Sequence, residues 1–249
     1  MKNIPVIAKL ILLAGILFTS CNNTTISTGD GSSKVEGNRK IKSEQRDITS
    51  FNKIETDGVF NIILTQSDNE SLKVETDENI QPLILTSVEN EVLKIKMKEN
   101  ASIDKMKKIT IYISFSSLSK LNSNGVGSLK CSNKLNLKGF ELDANGVGAT
   151  ELNINADKLT IHSEIVGALV LSGKVKDVFI NNKGLGAISA FELKAENLSL
   201  YSEGVGAAEV YASNELNINV SGLGSVKYKG NPKTKNIKKE GLSKVEAVN

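Results

Sequence analysis

Apolar residues alternate with polar ones in short stretches that recur along most of the chain. In the pairs Leu159/Ile161 and Leu169/Leu171, two large aliphatic residues flank one residue of another type. A period of two places the aliphatic side chains on one face of a β-strand. The pattern therefore predicts many short strands, each with one buried face.

A seven-residue motif connects these strands and recurs along the chain. It starts with Ile or Leu and ends in Gly-(Val/Leu)-Gly, except that Ile165 replaces the first glycine of one copy. Copies begin at Leu121, Leu142, Ile161, Ile180, Leu200 and Ile218, with an earlier copy at Ile54 and a fading one at Ile237. From Leu121 onward they start 18 to 21 residues apart. A fixed period of about twenty residues is typical of repeat proteins.

We predict an all-β fold, a parallel β-helix or solenoid in which each repeat of about twenty residues forms one coil. Coils stack about 4.8 Å apart, because no single coil buries its apolar face. Right-handed winding is the default for parallel crossovers. Glycines at the corners supply unusual backbone angles or room for tight stacking. These corner glycines are Gly58, Gly125, Gly127, Gly146, Gly148, Gly167, Gly184, Gly186, Gly204, Gly206, Gly222 and Gly224.

The N-terminal part of the domain, residues 45–119, is less regular than the repeat coils of residues 120–249. Residues 51–66 resemble a first coil, and residues 88–92 predict a hairpin turn. Residues 79–85 contain a proline and predict a short helix or a loop. We expect this part to cap or flank the stack, since the end of a stack otherwise exposes unpaired strand edges.

The first twenty residues have the features of a bacterial lipoprotein signal peptide. Lys2 precedes an almost wholly apolar stretch, residues 4–18, which is short for a membrane span. Small residues then precede Cys21, as in a lipobox, where the cysteine becomes lipid-modified and N-terminal. The alternative is an ordinary signal peptide followed by an incidental cysteine.

A polar segment separates the predicted lipid anchor from the domain. Its composition, rich in Asn, Thr, Ser and Gly, favours a flexible chain. The predicted organisation is a signal peptide at 1–20, a flexible polar tether at 21–44 and one β-domain at 45–249. A lipid on Cys21 would hold the protein at a membrane.

Charge and cysteine content narrow the choice of partners. The formal net charge is +3, and two of the positive charges, Lys2 and Lys9, belong to the leader. A nearly neutral domain gives no electrostatic argument for nucleic acid. The lipobox uses one of two cysteines, so Cys131 cannot form an intramolecular disulfide. We predict that Cys131 is a small core residue; a reactive thiol is the alternative.

Several segments together resemble the family called "putative auto-transporter adhesin, head GIN domain". They are residues 46–54, the corner at 58–60, residues 74–80 and residues 226–232, besides the repeated glycine corners. The resemblance covers residues 45–247. It implies a right-handed β-helix-like domain, often on a lipoprotein of Gram-negative bacteria. It implies no established biochemical function, because "adhesin" is an inference carried in a name.

The sequence offers little catalytic or metal-binding chemistry. The only histidine, His162, follows an inward Ile161, and no nucleophile elbow accompanies it. Aspartates of the repeats occupy unlike positions in their coils, so no calcium-binding repeat is present. A β-helix invites comparison with polysaccharide lyases and hydrolases, but residues 120–249 contain no arginine and the chain no tryptophan. We expect no enzymatic activity, no metal and no cofactor.

A candidate ligand surface lies on the outside of the predicted stack. The residue after each Ile or Leu anchor should face outward, which aligns one column of side chains. That column is Asn122, Asp143, His162, Asn181, Tyr201 and Asn219. With Phe179 beside it, the part formed by His162, Phe179, Asn181 and Tyr201 could bind a glycan or a protein. The alternative is a solvated sheet face with stray aromatic residues.

Three classes of function follow from this reading. The first is a lipid-anchored cell-envelope protein that acts as a binding or adhesin-like module. The second is a structural envelope protein that self-assembles through coil ends, and the third is a polysaccharide-active enzyme. Asn22 after the cysteine favours the outer membrane. The leaflet, the ligand and the oligomeric state stay open.

Overall fold

A computed structural model describes residues 33–248 of the chain. Its strands are β1 (Ser33–Glu36), β2 (Ile41–Arg46), β3 (Lys53–Gln66), β4 (Ser71–Asp77), β5 (Ile84–Glu89), β6 (Val92–Met97), β7 (Ala101–Asp104), β8 (Thr110–Phe115), β9 (Lys120–Cys131), β10 (Leu135–Asn182), β11 (Leu185–Ser202), β12 (Val205–Val220), β13 (Leu223–Lys229), β14 (Thr234–Lys239) and β15 (Ser243–Ala247). The predicted all-β class is confirmed. Within residues 33–248, no helix is long and apolar enough to cross a membrane.

The repeats pair in parallel, with equivalent motif positions side by side. Leu121 of β9 lies opposite Leu142 of β10. Ile180 of β10 lies opposite Leu200 of β11, and Leu200 lies opposite Ile218 of β12. Parallel pairing at the repeat spacing is what a β-helix requires. The winding into coils and its right-handed sense stay predictions.

The anchor residue of every complete motif copy is buried. The anchors, all between 0% and 2% exposed, are Leu121, Leu142, Ile161, Ile180, Leu200 and Ile218. Another buried row follows the glycine corners, in which Leu169, Ile188, Ala208 and Val226 lie side by side. Burying one such side chain stabilises the fold by about 1.5–3 kcal/mol. The core of the repeats is therefore built from several aliphatic rows that run from strand to strand, among them the row of Val178, Leu198 and Leu216.

The second glycine of each corner has a backbone conformation that other residues avoid. Its φ lies between +143° and +154° in Gly127, Gly148, Gly167, Gly186, Gly206 and Gly224. A β-carbon on Gly148 would overlap the carbonyl oxygen of Gly127, and the same overlap recurs at each following repeat. Among the first-position glycines, Gly125 and Gly146 also have a positive φ of 120°, whereas Gly184 does not. A β-carbon on any of these three would overlap backbone atoms of the neighbouring repeat. The corners thus require glycine for backbone angle and for close stacking.

The early motif copy belongs to the same series of strands. β3 pairs in parallel with β9, and Ile54 lies opposite Leu121 while Gly58 lies opposite Gly125. These neighbours are 67 residues apart in sequence, against about twenty in the later repeats. Strands β4 to β8 are therefore an insertion between two repeats that are adjacent in the sheet.

The inserted strands finish the sheet on the far side of β3. β6 and β8 pair in parallel with β3, whereas β4 pairs antiparallel with β8, and β2 antiparallel with β4. β5 and β6 form an antiparallel hairpin whose turn residues, Asn90 and Glu91, have φ of 51° and 61°. Two positive φ values are typical of a two-residue hairpin turn. The predicted hairpin is confirmed, and the proline segment forms a short 3-10 helix, Gln81–Leu83.

Ordered strands begin earlier than the sequence predicts. β1 pairs with β7, and β2 with β4, although residues 33–44 fall in the segment predicted as a flexible tether. A polar composition favours disorder only in a segment without partners. Here strands distant in sequence supply the hydrogen bonds. The predicted signal peptide and Cys21 lie outside the described residues.

At the other end of the sheet, the chain closes with two short strands. β14 pairs with β12, and β15 pairs with β13. All six residues of β14 are exposed, including Lys235, Lys238 and Lys239. Lysine on an edge strand opposes pairing with another strand.

Candidate functional site

Three rings lie in contact on the outer face of β10 and β11. The ring centroids of His162 and Phe179 are 6.0 Å apart, and those of Phe179 and Tyr201 are 5.5 Å apart. Tyr201 keeps 43% of its surface exposed. We call His162, Phe179 and Tyr201 the aromatic face. Only 4% of the chain is aromatic, so this clustering outside the core is notable for the composition.

The strand register brings these rings together. Asn181 lies opposite Tyr201, and Phe179 lies opposite Ser199. Phe179 is therefore a diagonal neighbour of Tyr201, within reach of an aromatic side chain. Ile180 and Leu200 point into the core, so the residues on either side of them point outward. Asn181 lies beside the rings and is partly buried.

Two shallow depressions of about 240 Å³ each flank the rings on this face. Phe179 borders one of them, Tyr201 the other, and Asn217 borders both. Their other polar lining residues are Lys158, Asp177, Asn197, Ser199, Glu215, Asn219, Asn236 and Lys238. Amide and carboxylate groups can donate to or accept from several hydroxyl groups at once. The face therefore combines stacking surfaces with many hydrogen-bonding groups.

A charged cluster adjoins the aromatic face. The Lys120 Nζ lies 2.7 Å from a carboxylate oxygen of Glu141 and 2.7 Å from one of Asp143. The hydrogen bonds that the Lys120 ammonium donates to Asp143 first, and then to Glu141, hold the pKa of Lys120 above its usual value. The lysine is therefore charged across the neutral range, and the two carboxylates share its proton donors.

The same carboxylates lie near His162. One possible ligand atom from each of Glu141, Asp143 and His162 lies within 4.8 Å of the others. Mixed nitrogen and oxygen ligands suit a divalent metal, but Lys120 already forms ion pairs with both carboxylates. A metal would have to displace its ammonium group. The cluster does not show in the positions of the aspartates alone, because Glu141 and Asp143 flank the same anchor, Leu142, on either side.

The remaining cysteine is only partly buried, which corrects the prediction of a core residue. Its Sγ accepts a hydrogen bond from the backbone N–H of Asn153 at 3.0 Å, and Cys131 packs against the edge of the core. Among the described residues, no hydrogen bond or ion pair joins the Cys131 thiol to a positively charged side chain.

Residues 50–232 match the protein family described as "Putative auto-transporter adhesin, head GIN domain". The chain belongs to this family. The match spans the first glycine corner, the inserted strands and all complete repeats. The resemblance seen in the sequence is confirmed. The family's description names adhesion and no reaction.

Solved structures have the same fold. A putative adhesin from Bacteroides fragilis shares 28% identity and a TM-score of 0.83, and the match covers 86% of this chain and 100% of that one. A putative lipid binding protein from Parabacteroides distasonis shares 25% identity and a TM-score of 0.71, with coverage of 87% and 100%. Another putative adhesin from Parabacteroides distasonis shares 26% identity and a TM-score of 0.58, with the same coverage. No curated protein matches the chain.

Proposed function

We propose that this head GIN protein is a lipid-anchored binding module of the bacterial envelope, and that its aromatic face binds a glycan. The family and the structural relatives support an adhesin-like role. The contact between the three rings, on an exposed face with amide and carboxylate neighbours, carries the choice of ligand. Sugar rings have one apolar C–H face and many hydroxyl groups, which match these two kinds of surface.

A stacked β-helix provides a rigid support for such a face. The in-register parallel pairing and the buried anchor rows support this architecture. Side chains on rigid strands keep their spacing when no ligand is bound, which lowers the entropic cost of binding. Asparagine ladders between repeats add to this rigidity. The amide of Asn197 donates to Asp177 at 2.7 Å, and that of Asn214 donates to Asn197 at 2.8 Å.

The lipid anchor is the second part of the proposal. Cys21 lies twelve residues before the first described strand at Ser33. Twelve extended residues span at most about 40 Å. The domain would therefore stay close to the membrane that holds the lipid, with outer-membrane residence favoured by Asn22. A bound glycan would then be held at the cell envelope.

Glycan binding is tested with an array of bacterial and host polysaccharides, followed by titration of the best ligand. Phe179→Ala and Tyr201→Ala should each weaken binding roughly three- to tenfold, the effect of losing one aromatic contact. Tyr211→Ala is the matched control, because Tyr211 is a partly exposed tyrosine that packs under Lys194 away from this face. Equal losses in all three variants, or no glycan bound at all, would contradict the proposal.

Anchoring is tested by fractionating cells that express the full chain. Cys21→Ser should stall processing of the signal peptide or move the protein out of the membrane fraction. Incorporation of a labelled fatty acid should be lost together with membrane residence. A processed Cys21→Ser protein that still sediments with membranes would refute the anchor and leave the ligand-binding proposal standing.

A further inference from the structure

A row of exposed aliphatic side chains runs across the sheet at the glycine corners. Each is the residue between the two glycines of a corner, or its counterpart in the copies where one of these glycines is replaced. These residues are Val59, Val126, Val147, Val166, Leu185, Val205, Leu223 and Leu242. Leu242 is 84% exposed, and the other seven are 46–52% exposed. We call these eight residues the apolar ridge. Single exposed aliphatic residues are ordinary, but eight in one line are not.

The strand register aligns the ridge. Val59 lies opposite Val126, and Val126 opposite Val147. Further along, Leu185 lies opposite Val166 on one side and opposite Val205 on the other. Because the residues beside each ridge position are glycines in most corners, no neighbouring side chain covers it. The glycines that permit close stacking thus leave the intervening valine or leucine open to solvent.

A second, flatter column runs beside the ridge. It consists of Ser128, Ala149, Ala168, Ala187, Ala207 and Ser225. From Val126 to Ser225, neither column contains a charged side chain. With strands about 4.8 Å apart, eight ridge positions span about 34 Å. An apolar stripe of this length on an exposed face is typical of an interaction site.

We propose that the apolar ridge is a self-association surface on which two copies of this chain pack side by side. The spacing of the ridge favours a second copy as the occupant. The ridge residues of the second copy repeat at the same strand spacing, so they can pack against the corner glycines beside the ridge of the first copy. An isologous contact of this kind repeats every interaction about a two-fold axis. The uncharged stripe brings no like charges together at its centre.

The size of the stripe predicts a weak dimer. A stripe of about 34 Å by roughly 10 Å covers some 350 Å² on each copy, or about 700 Å² in total, which is below the range for stable dimers. Confinement to a membrane raises the effective concentration and would favour the contact. The apolar contact itself does not depend on the proposed glycan site, which lies on another part of each repeat.

The charges that border the stripe argue against a lipid bilayer as the occupant. Glu164 and Glu203 lie on one border, and Glu151 and Glu209 on the other, among the lysines Lys130, Lys183 and Lys227. A negatively charged membrane surface attracts clusters of basic residues. A border with acidic residues on both sides offers no such cluster. A second copy needs no net positive charge.

Cross-linking of the full chain in the cell envelope tests the proposal. Val166→Cys and Leu185→Cys, the two central ridge positions, are made singly in a Cys131→Ser background and treated with a short bis-maleimide. We expect a cross-linked dimer from each. Glu196→Cys is the matched control, because it is exposed on the same strand as Leu185 but half a repeat away. The Cys131→Ser background alone reports any cross-linking through an unmodified Cys21.

A charge variant separates a specific contact from random collision. Val147→Glu, added to Leu185→Cys, should lower the dimer fraction roughly tenfold or more, because it would bury a carboxylate without a partner. Glycan binding by Val147→Glu should be unchanged, so failure of the two proposals can be told apart. Equal cross-linking at Leu185→Cys and Glu196→Cys would overturn the inference. Ridge-dependent binding of the purified monomer to phosphatidylglycerol vesicles, without a dimer, would also overturn it.

Discussion

The repeat region, residues 120–248, and the insertion between β3 and β9 are both built of strands but are organised differently. In the repeat region, β9 to β13 pair in parallel with segments about one repeat away. In the insertion, β4 pairs antiparallel with β8, and β5 with β6. Its turns contain non-glycine residues with positive φ, such as Asn90 and Asn100. The repeat region contains one such residue, Asn231, which lies beyond the last complete corner.

This difference teaches how each region obtains its register. Each repeat pairs with a repeat of similar sequence on each side, and its corner glycines leave room only for the backbone of the neighbouring repeat. An inserted strand pairs with a strand of unrelated sequence, and a hairpin turn can determine which strand that is. A change at a repeat corner therefore disturbs the strands on both sides, whereas a change in the insertion stays local. The following predictions test the repeat side of that contrast, beginning with the largest effect.

Gly148→Ala should abolish cooperative folding or leave the protein only marginally stable. Its φ of +149° is essentially restricted to glycine, and the new β-carbon would overlap the Gly127 carbonyl. Gly139→Ala is the matched control, since the nearest atom to its added carbon is the Lys158 carbonyl oxygen at 4.0 Å. The control should be neutral or stabilise by up to about 1 kcal/mol. Thermal and denaturant unfolding of both variants measures the difference. Equal stability of Gly148→Ala and Gly139→Ala would contradict the prediction.

Ile180→Ala should destabilise the fold by about 2–5 kcal/mol, because it leaves a cavity in the row of buried anchors. Ile180 is completely buried. Asn181→Ala should change the free energy of unfolding by only about 0.5 kcal/mol, since the partly exposed amide makes no side-chain hydrogen bond among the described residues. Urea melts measure both values. A loss at Asn181 as large as at Ile180 would mean that the inward and outward faces are misassigned.

Lys120→Met should have the smallest effect, a loss of about 0.2–1 kcal/mol, because its ion pairs with Glu141 and Asp143 are partly exposed. The raised pKa of Lys120 makes this contribution present below the ordinary lysine value of 10.5 and lost as the pH rises through the folded value. High salt should also reduce it. Melts of both proteins at pH 7 in low and high salt measure the effect. A loss that salt does not change would point to packing of the lysine stem instead.

The sequence alone predicted the features that depend on repetition. The anchor rows, the glycine corners and the neighbourhood of Phe179 and Tyr201 all follow from aligning motif copies, because a parallel register places equivalent positions side by side. The early copy at Ile54 was also visible as a motif. Its direct pairing with the repeat at Leu121 was not predicted, since nothing local marks a partner 67 residues away.

Other features depended on side-chain direction or on distant partners. The ridge position was visible as the valine or leucine between two glycines, but strand alternation breaks at a corner, so its direction could not be read. The cluster of Lys120, Glu141 and Asp143 becomes visible only when the residues on both sides of the anchors are compared between neighbouring repeats. The strands β1 and β2 were missed because their polar composition favours a tether until their partners are known.

The lysine-rich last strand has a consequence for the kinetics of polymerisation. Growth by end addition at β14 needs an incoming strand to settle against Lys235, Lys238 and Lys239. Each ammonium group would have to be desolvated or displaced at every addition step, which raises the nucleation barrier most at low ionic strength. If the proposed lipid anchor crowds such molecules on one membrane, these lysines would oppose fibre growth from this strand. At high surface density, the expected assembly is then the proposed dimer and not a fibre.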